Sequence, residues 1–157
     1  RSDGVRQTIQ EAMSQRAITY RDGRVVGEPL GSGATVLTFG GAQRQMLPGP
    51  VGDLETARLA SRAANVVAYI ANPAAPPSSG GAGSYTWAEV TGPDGHIAIA
   101  ELVAGEGVRS TAAIAAETTR RVLAGVAPGA WTPGQLFGAA LVTDATGAKV
   151  TINGQPT

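Results

Sequence analysis

The sequence contains no cysteine and only one histidine, His96, among its 157 residues. The absence of cysteine excludes disulfide bonds, thiolate zinc sites and cysteine nucleophiles. A single histidine excludes a multi-histidine metal site and any two-histidine mechanism within one chain. We therefore expect no metal ion to be bound.

Aromatic residues and net charge are also scarce. The chain has two Trp, three Tyr and two Phe against 28 Ala and 22 Gly, so Val, Ile, Leu and Ala must build its core. The 12 Lys and Arg balance the 12 Asp and Glu, which argues against a partner bound through bulk charge, such as nucleic acid or an anionic membrane. No apolar run approaches the roughly 20 residues that cross a membrane.

The length of the chain fits one ordinary domain, and we expect a single domain over residues 1–157. The chain starts at Arg1 without a signal-peptide pattern, so we expect a fragment or a processed product in the cytoplasm. Residues 72–84 combine Pro, Gly and Ser with no large apolar side chain. Such a composition predicts a flexible connector.

Local patterns predict an α+β fold with a largely antiparallel or mixed sheet and helices packed on one face. Asp22-Gly23 predicts a hairpin turn, residues 40–52 a loop, and residues 65–71 a central buried strand. Helices are expected over 3–15, over 53–62 with Asp53 as N-cap, over 110–123, and from Pro133 with Thr132 as N-cap. The other strands are expected at 17–20, 24–28, 34–39, 85–91, 96–103, 139–143 and 149–152.

Three segments together resemble one protein family. The first holds Gly52-Asp53-Leu54, Thr56-Ala57 and Asn65-Val66, and the second is WAEVTGPDG over 87–95. The third contains Thr111-Ala112, Arg121-Val122-Leu123-Ala124-Gly125, Pro128-Gly129, Thr132-Pro133 and Leu136-Phe137-Gly138. In order and spacing they are similar to the C-terminal domain of saccharopine dehydrogenase-like oxidoreductases, which are common in actinobacteria.

The resemblance implies a substrate-binding and dimerisation domain of an NAD(P)-dependent oxidoreductase. Family members begin with a Rossmann domain, but no G-x-G-x-x-G follows a strand here, so we expect no cofactor and no hydride transfer from this chain. The family's Trp before Gly-Asp is replaced by Val51, and its Arg-Ser-Thr-Gly run by Leu-Ala-Ser-Arg over 59–62. These departures leave two alternatives, which are a cofactor-independent cyclase or isomerase and a non-catalytic binding or assembly module.

Six residues are candidates for a site. Asp53, in the family's cleft segment, and His96, beside a turn, are candidate catalytic groups, although an N-cap role for Asp53 and a half-exposed strand position for His96 are the simpler explanations. The candidate substrate-binding residues are Arg44, Thr56, Tyr85 and Trp87. Arg44 would hold an anionic group, or it is a solubilising loop charge. Tyr85 and Trp87 share one strand face, where they form a ligand wall, a core or a subunit contact.

The partners predicted from the sequence are a small hydrophobic metabolite and a second copy of the chain. The contact of the homodimer is expected to include the hairpin over 85–103, because its apolar sheet face would otherwise remain open. Glu89 and Glu101 lie on the two strands of this hairpin. If they faced each other they could act as an acid/base pair, whereas solvent-facing positions explain them more simply.

Overall fold

A computed structural model describes residues 16–75 and 83–156, together with Gly4, Gln7 and Glu11. Over these residues the chain has the predicted α+β fold, with four helices and antiparallel strand pairing. It forms two compact units, of which the first spans 1–38 and 42–78 and the second 39–41 and 79–157. Most of the predicted helix over 3–15 and most of the predicted connector over 72–84 lie outside the described residues.

Between residues 16 and 75, the first unit contains two three-stranded sheets and one helix. One sheet has the order β2 (Arg24–Glu28), β1 (Ala17–Arg21), β5 (Val66–Val67), and the other has the order β3 (Thr35–Phe39), β4 (Ala42–Pro48), β6 (Tyr69–Ala71). The tip of the β3–β4 hairpin, Phe39–Gly41, belongs to the second unit. The core side chains of the first unit are Ala17, Thr19, Met46, Leu47, Leu54 and Val66.

The prediction of one central strand over 65–71 is wrong. The chain changes sheets at Ala68, whose carbonyl accepts a hydrogen bond from the Gly49 amide at 3.0 Å. β5 therefore pairs at the edge of one sheet and β6 at the edge of the other. A continuous strand could not serve both ladders, because they lie in different sheets.

The predicted turn at Asp22-Gly23 is confirmed. Both residues have positive φ, 48° and 74°, as the hairpin turn that matches strand twist requires. The Asp22 amide donates to Asn65 Oδ1 at 3.0 Å and the Gly23 amide to the Ala64 carbonyl at 2.8 Å. The tip is thereby fixed to the segment that leads into β5.

The predicted loop over 40–52 is wrong, because β4 occupies most of it. Gly40 and Gly41 have φ of 58° and 71° and form a tight turn, so the chain returns along β3. Met46 pairs with Ala71 and Leu47 with Ile70, and both β4 side chains are buried. The strand pattern of β4 is weak, because Gln, Arg and Gln occupy its middle. The strand forms nonetheless, because it pairs with β6.

The helix of the first unit, α1 (Asp53–Ser61), is confirmed, but its predicted N-cap is wrong. Gly52 is the N-cap and no side chain caps the helix. Asp53 instead lies in the first turn together with Glu55, where carboxylates interact favourably with the positive end of the helix dipole.

The second unit contains a four-stranded sheet with the order β10 (Gln155–Pro156), β9 (Lys149–Ile152), β8 (Ile97–Ala104), β7 (Ser84–Thr91). The predicted β7–β8 hairpin is confirmed. Its register pairs Trp87 with Glu101 and Glu89 with Ile99. Glu89 and Glu101 are therefore not directly opposite each other, because the turn sets the register two residues away from that pairing.

Three helices complete the second unit. α2 (Gly107–Leu123) starts three residues before the predicted 110, because the Glu106 side chain accepts hydrogen bonds from the Val108 and Arg109 amides. α3 (Pro133–Phe137) has the predicted Thr132 cap, in a capping box with Gln135.

The strand predicted over 139–143 is wrong, because α4 (Ala140–Thr146) is helical there. Its Leu141 is only 2% exposed, and α4 packs against α2. Tertiary packing of this one side chain outweighs the strand propensity of the neighbouring Val142 and Thr143.

Candidate functional site

The first unit carries an open cleft of about 200 Å³ beside β1 and the start of α1. Its walls are mainly apolar, with one phenol and one carboxylate among the residues Ile18, Tyr20, Pro50, Val51, Gly52, Leu54 and Glu55. Side chains alternate along a strand, so Ile18 and Tyr20 lie on the face of β1 opposite the buried Ala17 and Thr19. One face of β1 thus forms the core and the other forms a wall of the cleft.

The polar groups of the cleft are joined to one another. Tyr20 donates its hydroxyl hydrogen to Glu55 Oε2 at 2.7 Å. Arg58, one helical turn further along α1, donates from Nε to Glu55 Oε2 at 2.9 Å and from its terminal nitrogen to Oε1 at 2.5 Å. Its guanidinium also lies 5.2 Å from the centre of the Tyr20 ring, a cation–π distance. Glu55 therefore accepts hydrogen bonds on both oxygens.

These contacts fix the protonation states of the cleft. The hydrogen bonds from Arg58, followed by the one from Tyr20, lower the pKa of Glu55 from 4.5 to about 2. The hydrogen bond to Glu55 and partial desolvation raise the pKa of Tyr20 above its ordinary 10.0. Glu55 is therefore ionised and Tyr20 neutral over the whole physiological range, and neither group exchanges a proton near neutral pH.

The structure divides the six predicted site residues between the two units. Asp53 and Thr56 are exposed on α1 and Arg44 is half-buried on β4, all in the first unit. Gly52 and Leu54 of the family-like segment line the cleft, whereas Asp53 and Thr56 do not. The assignments of Asp53, Thr56 and Arg44 to a site stay predictions.

Tyr85 and Trp87 lie on one face of β7 in the second unit, as their spacing predicts. The Trp87 ring stacks on Phe39, with centroids 6.3 Å apart and planes at 26°. The Tyr85 ring lies against Gly40, where a Cβ atom would approach its Cδ1 to 2.5 Å. The Gly40 amide also donates to Glu101 Oε1 at 3.3 Å. These contacts make the aromatic pair the packing surface for Phe39–Gly41.

His96 is exposed in the turn that precedes β8. Its amide donates to Asp94 Oδ1 at 3.0 Å, and its carbonyl accepts from the Gly92 amide at 2.8 Å. Both bonds use the backbone and shape the turn. His96 and Asp53 belong to different units, and their catalytic assignment stays a prediction.

Within the described part of the chain, no cluster of three or more His, Asp or Glu residues is placed to hold a metal ion. No described helix has both the length and the apolar character needed to span a membrane.

Sequence reasoning missed Tyr20 and Glu55, which form the polar side of the cleft, and Arg58, which donates hydrogen bonds to Glu55. Glu55 and Arg58 carried a usable signal, since opposite charges three apart on a helix face each other. Tyr20 lies 35 residues before Glu55 and carried none. No family model, curated protein or solved structure matches this sequence.

Proposed function

We propose that the first unit binds a small, mainly apolar molecule in the cleft beside α1. The observation that carries this proposal is the apolar wall of Ile18, Val51 and Leu54 next to the hydrogen-bonded pair of Tyr20 and Glu55. Apolar surface supplies affinity and a few placed polar groups supply orientation, which is the usual composition of a ligand site.

The size of the cleft limits the ligand. Pockets for drug-sized molecules enclose about 300–1,000 Å³, and this cleft encloses about 200 Å³. It is also open to solvent along one side. The ligand is therefore either smaller than a drug-sized molecule or a larger molecule that inserts one end.

Fixed protonation states favour binding over acid/base catalysis. A cyclase or isomerase that works without a cofactor needs a group able to exchange protons near neutral pH. Glu55 and Tyr20 are both held far from that range by their mutual hydrogen bond and by Arg58. We therefore favour a substrate-binding role, as in the C-terminal domain of saccharopine dehydrogenase-like, NAD(P)-dependent oxidoreductases, over the isomerase alternative.

We propose that the nucleotide cofactor of such an oxidoreductase binds outside this chain. Gly31 and Gly33 lie in the turn between β2 and β3. A dinucleotide site instead places its glycines between a strand and the N-terminus of a helix. Calorimetric titration with NAD⁺ and NADP⁺ is expected to give no saturable heat, and a micromolar dissociation constant for either would contradict this assignment.

Indole is a suitable probe for the cleft, because it is small, apolar and has one hydrogen-bond donor. Val51→Trp fills the cleft from its loop side and is expected to weaken indole binding at least about tenfold. Leu59→Trp is the matched control, since Leu59 is 60% exposed on α1 and does not line the cleft. Equal indole affinities of the two variants would overturn the proposed site.

A further inference from the structure

The polar side chains that line the cleft of the first unit have no hydrogen left to donate to a ligand. These side chains are Tyr20 and Glu55. A phenol has one hydroxyl hydrogen, and Tyr20 donates it to Glu55 Oε2 at 2.7 Å. Glu55 is ionised and has none. Arg58 carries further hydrogens, but it does not line the cleft, and its Nε and one terminal nitrogen are directed at Glu55.

The backbone of the lining residues adds little donor capacity. Pro50 has no amide hydrogen. The Leu54 amide donates to the Val51 carbonyl at 3.3 Å. β1 is the middle strand of its sheet and pairs with β2 along its whole length, so ladder hydrogen bonds engage its backbone.

Both polar side chains can still accept hydrogen bonds. An ionised carboxylate has about four lone-pair positions. The hydrogen bonds to Glu55 occupy both positions on Oε2 and one on Oε1, which leaves one position on Oε1. The Tyr20 oxygen is also an acceptor, and its donation to a carboxylate makes it a stronger one, because linked hydrogen bonds polarise each other. The polar side of the cleft therefore favours a ligand that donates.

We infer that the ligand of this cleft is a mainly apolar molecule with a neutral hydrogen-bond donor, such as an alcohol, a phenol or an N–H heterocycle. It donates to the Tyr20 oxygen or to Glu55 Oε1. The inference rests on the proposed function of the cleft and names the chemical class of its ligand.

The same contacts disfavour the other ligand classes. An ether or ketone would bring an oxygen lone pair against the oxygens of Tyr20 and Glu55 and would gain no partner for the water it loses. A carboxylate would also be repelled by Glu55. An ammonium group gains little, because Arg58 already neutralises Glu55 and its guanidinium lies 5.2 Å from the centre of the Tyr20 ring.

Indole and benzofuran are matched probes for this inference. The two bicyclic rings have nearly the same size, but indole has an N–H donor where benzofuran has an ether oxygen. NMR titration of the full chain should give indole a dissociation constant at least about tenfold lower than that of benzofuran. Benzofuran is the more apolar molecule, so apolar burial alone predicts the opposite order.

Variants show whether the preference arises in the cleft. Tyr20→Phe combined with Glu55→Leu removes both acceptors and keeps the wall apolar, so the preference for indole should disappear. Tyr69→Phe is the matched control, since it removes a phenol hydroxyl from β6 of the same unit, outside the lining, and should keep the preference. Far-ultraviolet dichroism checks that both proteins are folded. If the double variant is not, the order of the two probes in the unmodified chain still decides.

The outcomes separate this inference from the proposed function. Equal affinities of the unmodified chain for the two probes, both weakened in Val51→Trp, would overturn the inference and leave the proposed cleft intact. Tighter binding of benzofuran would also overturn it, because backbone amides at the start of α1 would then supply the polar contact. Saturation by neither probe would overturn the proposed function, and this inference with it.

Discussion

The two units differ in how they distribute apolar side chains. Among the described residues the first unit buries five apolar side chains, Ala17, Met46, Leu47, Leu54 and Val66, whereas the second buries only Phe39, Leu141 and Ala148. Exposed large apolar residues are instead more numerous in the second unit. Four belong to the first unit, and nine belong to the second, namely Val90, Ile97, Val103, Val108, Val122, Leu123, Val126, Trp131 and Ile152.

We propose that this difference reflects a division of work between the two units. A unit with a well-packed core can hold a cleft in a fixed shape, which a small ligand requires. A unit that leaves much apolar side-chain surface in water is typical of a surface that associates with another protein. The ion-paired carboxylates Glu55 and Glu117 also differ between the two units. Glu55 lines the cleft, whereas Glu117 accepts hydrogen bonds from Arg120 and Arg121, and Arg121 also binds Asp144 on α4.

The largest expected effect is on the stability of the second unit, whose core contains few buried apolar side chains. Leu141→Ala should lower the free energy of unfolding of this unit by about 3 kcal/mol, because a side chain that is 2% exposed leaves a cavity. Urea unfolding measures the change. The control, Leu123→Ala, removes a side chain that is 82% exposed and should change stability by less than about 0.5 kcal/mol. Equal losses for both variants would contradict the burial difference.

Substitution of Gly40 tests its contact with the Tyr85 ring, which belongs to the aromatic packing surface of β7. Gly40→Ala should cost about 2 kcal/mol, since the new methyl group meets the Tyr85 ring and φ is 58°. Gly41→Ala shares the positive φ, 71°, but has nothing within 4 Å, and should cost about half as much. Urea unfolding of both variants isolates the cost of the ring contact. A Gly40→Ala protein as stable as Gly41→Ala would show that the ring moves aside freely.

The core of the first unit contains one polar group that can be improved. The Thr19 side chain is fully buried, and its hydroxyl has no hydrogen-bond partner among the described residues. Thr19→Val keeps the shape and removes the unsatisfied hydroxyl, so it should raise the free energy of unfolding by about 1 kcal/mol. Thr38→Val, at an exposed position of β3, should leave it unchanged. A destabilised Thr19→Val protein would mean that the hydroxyl has a partner.

The smallest expected effect is on the pH dependence of the free energy of unfolding. The pKa values of Glu55 and Glu117 are both lowered from 4.5 to about 2, mainly by hydrogen bonds from their arginine partners. Their stabilisation is therefore complete above about pH 4.5 and is lost as the pH falls towards 2. Glu55→Gln and Glu117→Gln should each flatten the fall in stability over this window. Urea unfolding at several pH values across this window measures the change, and a fall as steep as that of the unmodified chain would contradict the effect of these hydrogen bonds.

Local chemistry explains which elements could be predicted. Asp22-Gly23 and the Thr132 cap depend on residues adjacent in sequence, and both are confirmed. β4 was missed because Gly40-Gly41 and Pro48-Gly49-Pro50 are typical loop signals, whereas β6, one of its two pairing partners, is more than 20 residues away. α4 was missed for the same reason, since its packing against α2 is non-local.

The site shows the same limit. Gly52 and Leu54 of the family-like segment line the cleft, whereas Asp53 and Thr56, the two residues of that segment that were singled out, lie outside the lining. Glu55 lies in the same segment and was not singled out from the sequence. It becomes part of the cleft only because Tyr20 of a distant strand donates a hydrogen bond to it.

The most direct test of the division of work is an amide-resolved NMR titration of the full chain with indole. The account predicts saturable shifts confined to the first unit, at the amides of Tyr20, Val51, Leu54 and Glu55, and abolished in Val51→Trp. Saturable shifts centred instead on the exposed apolar residues of the second unit, such as Leu123 and Trp131, would contradict it.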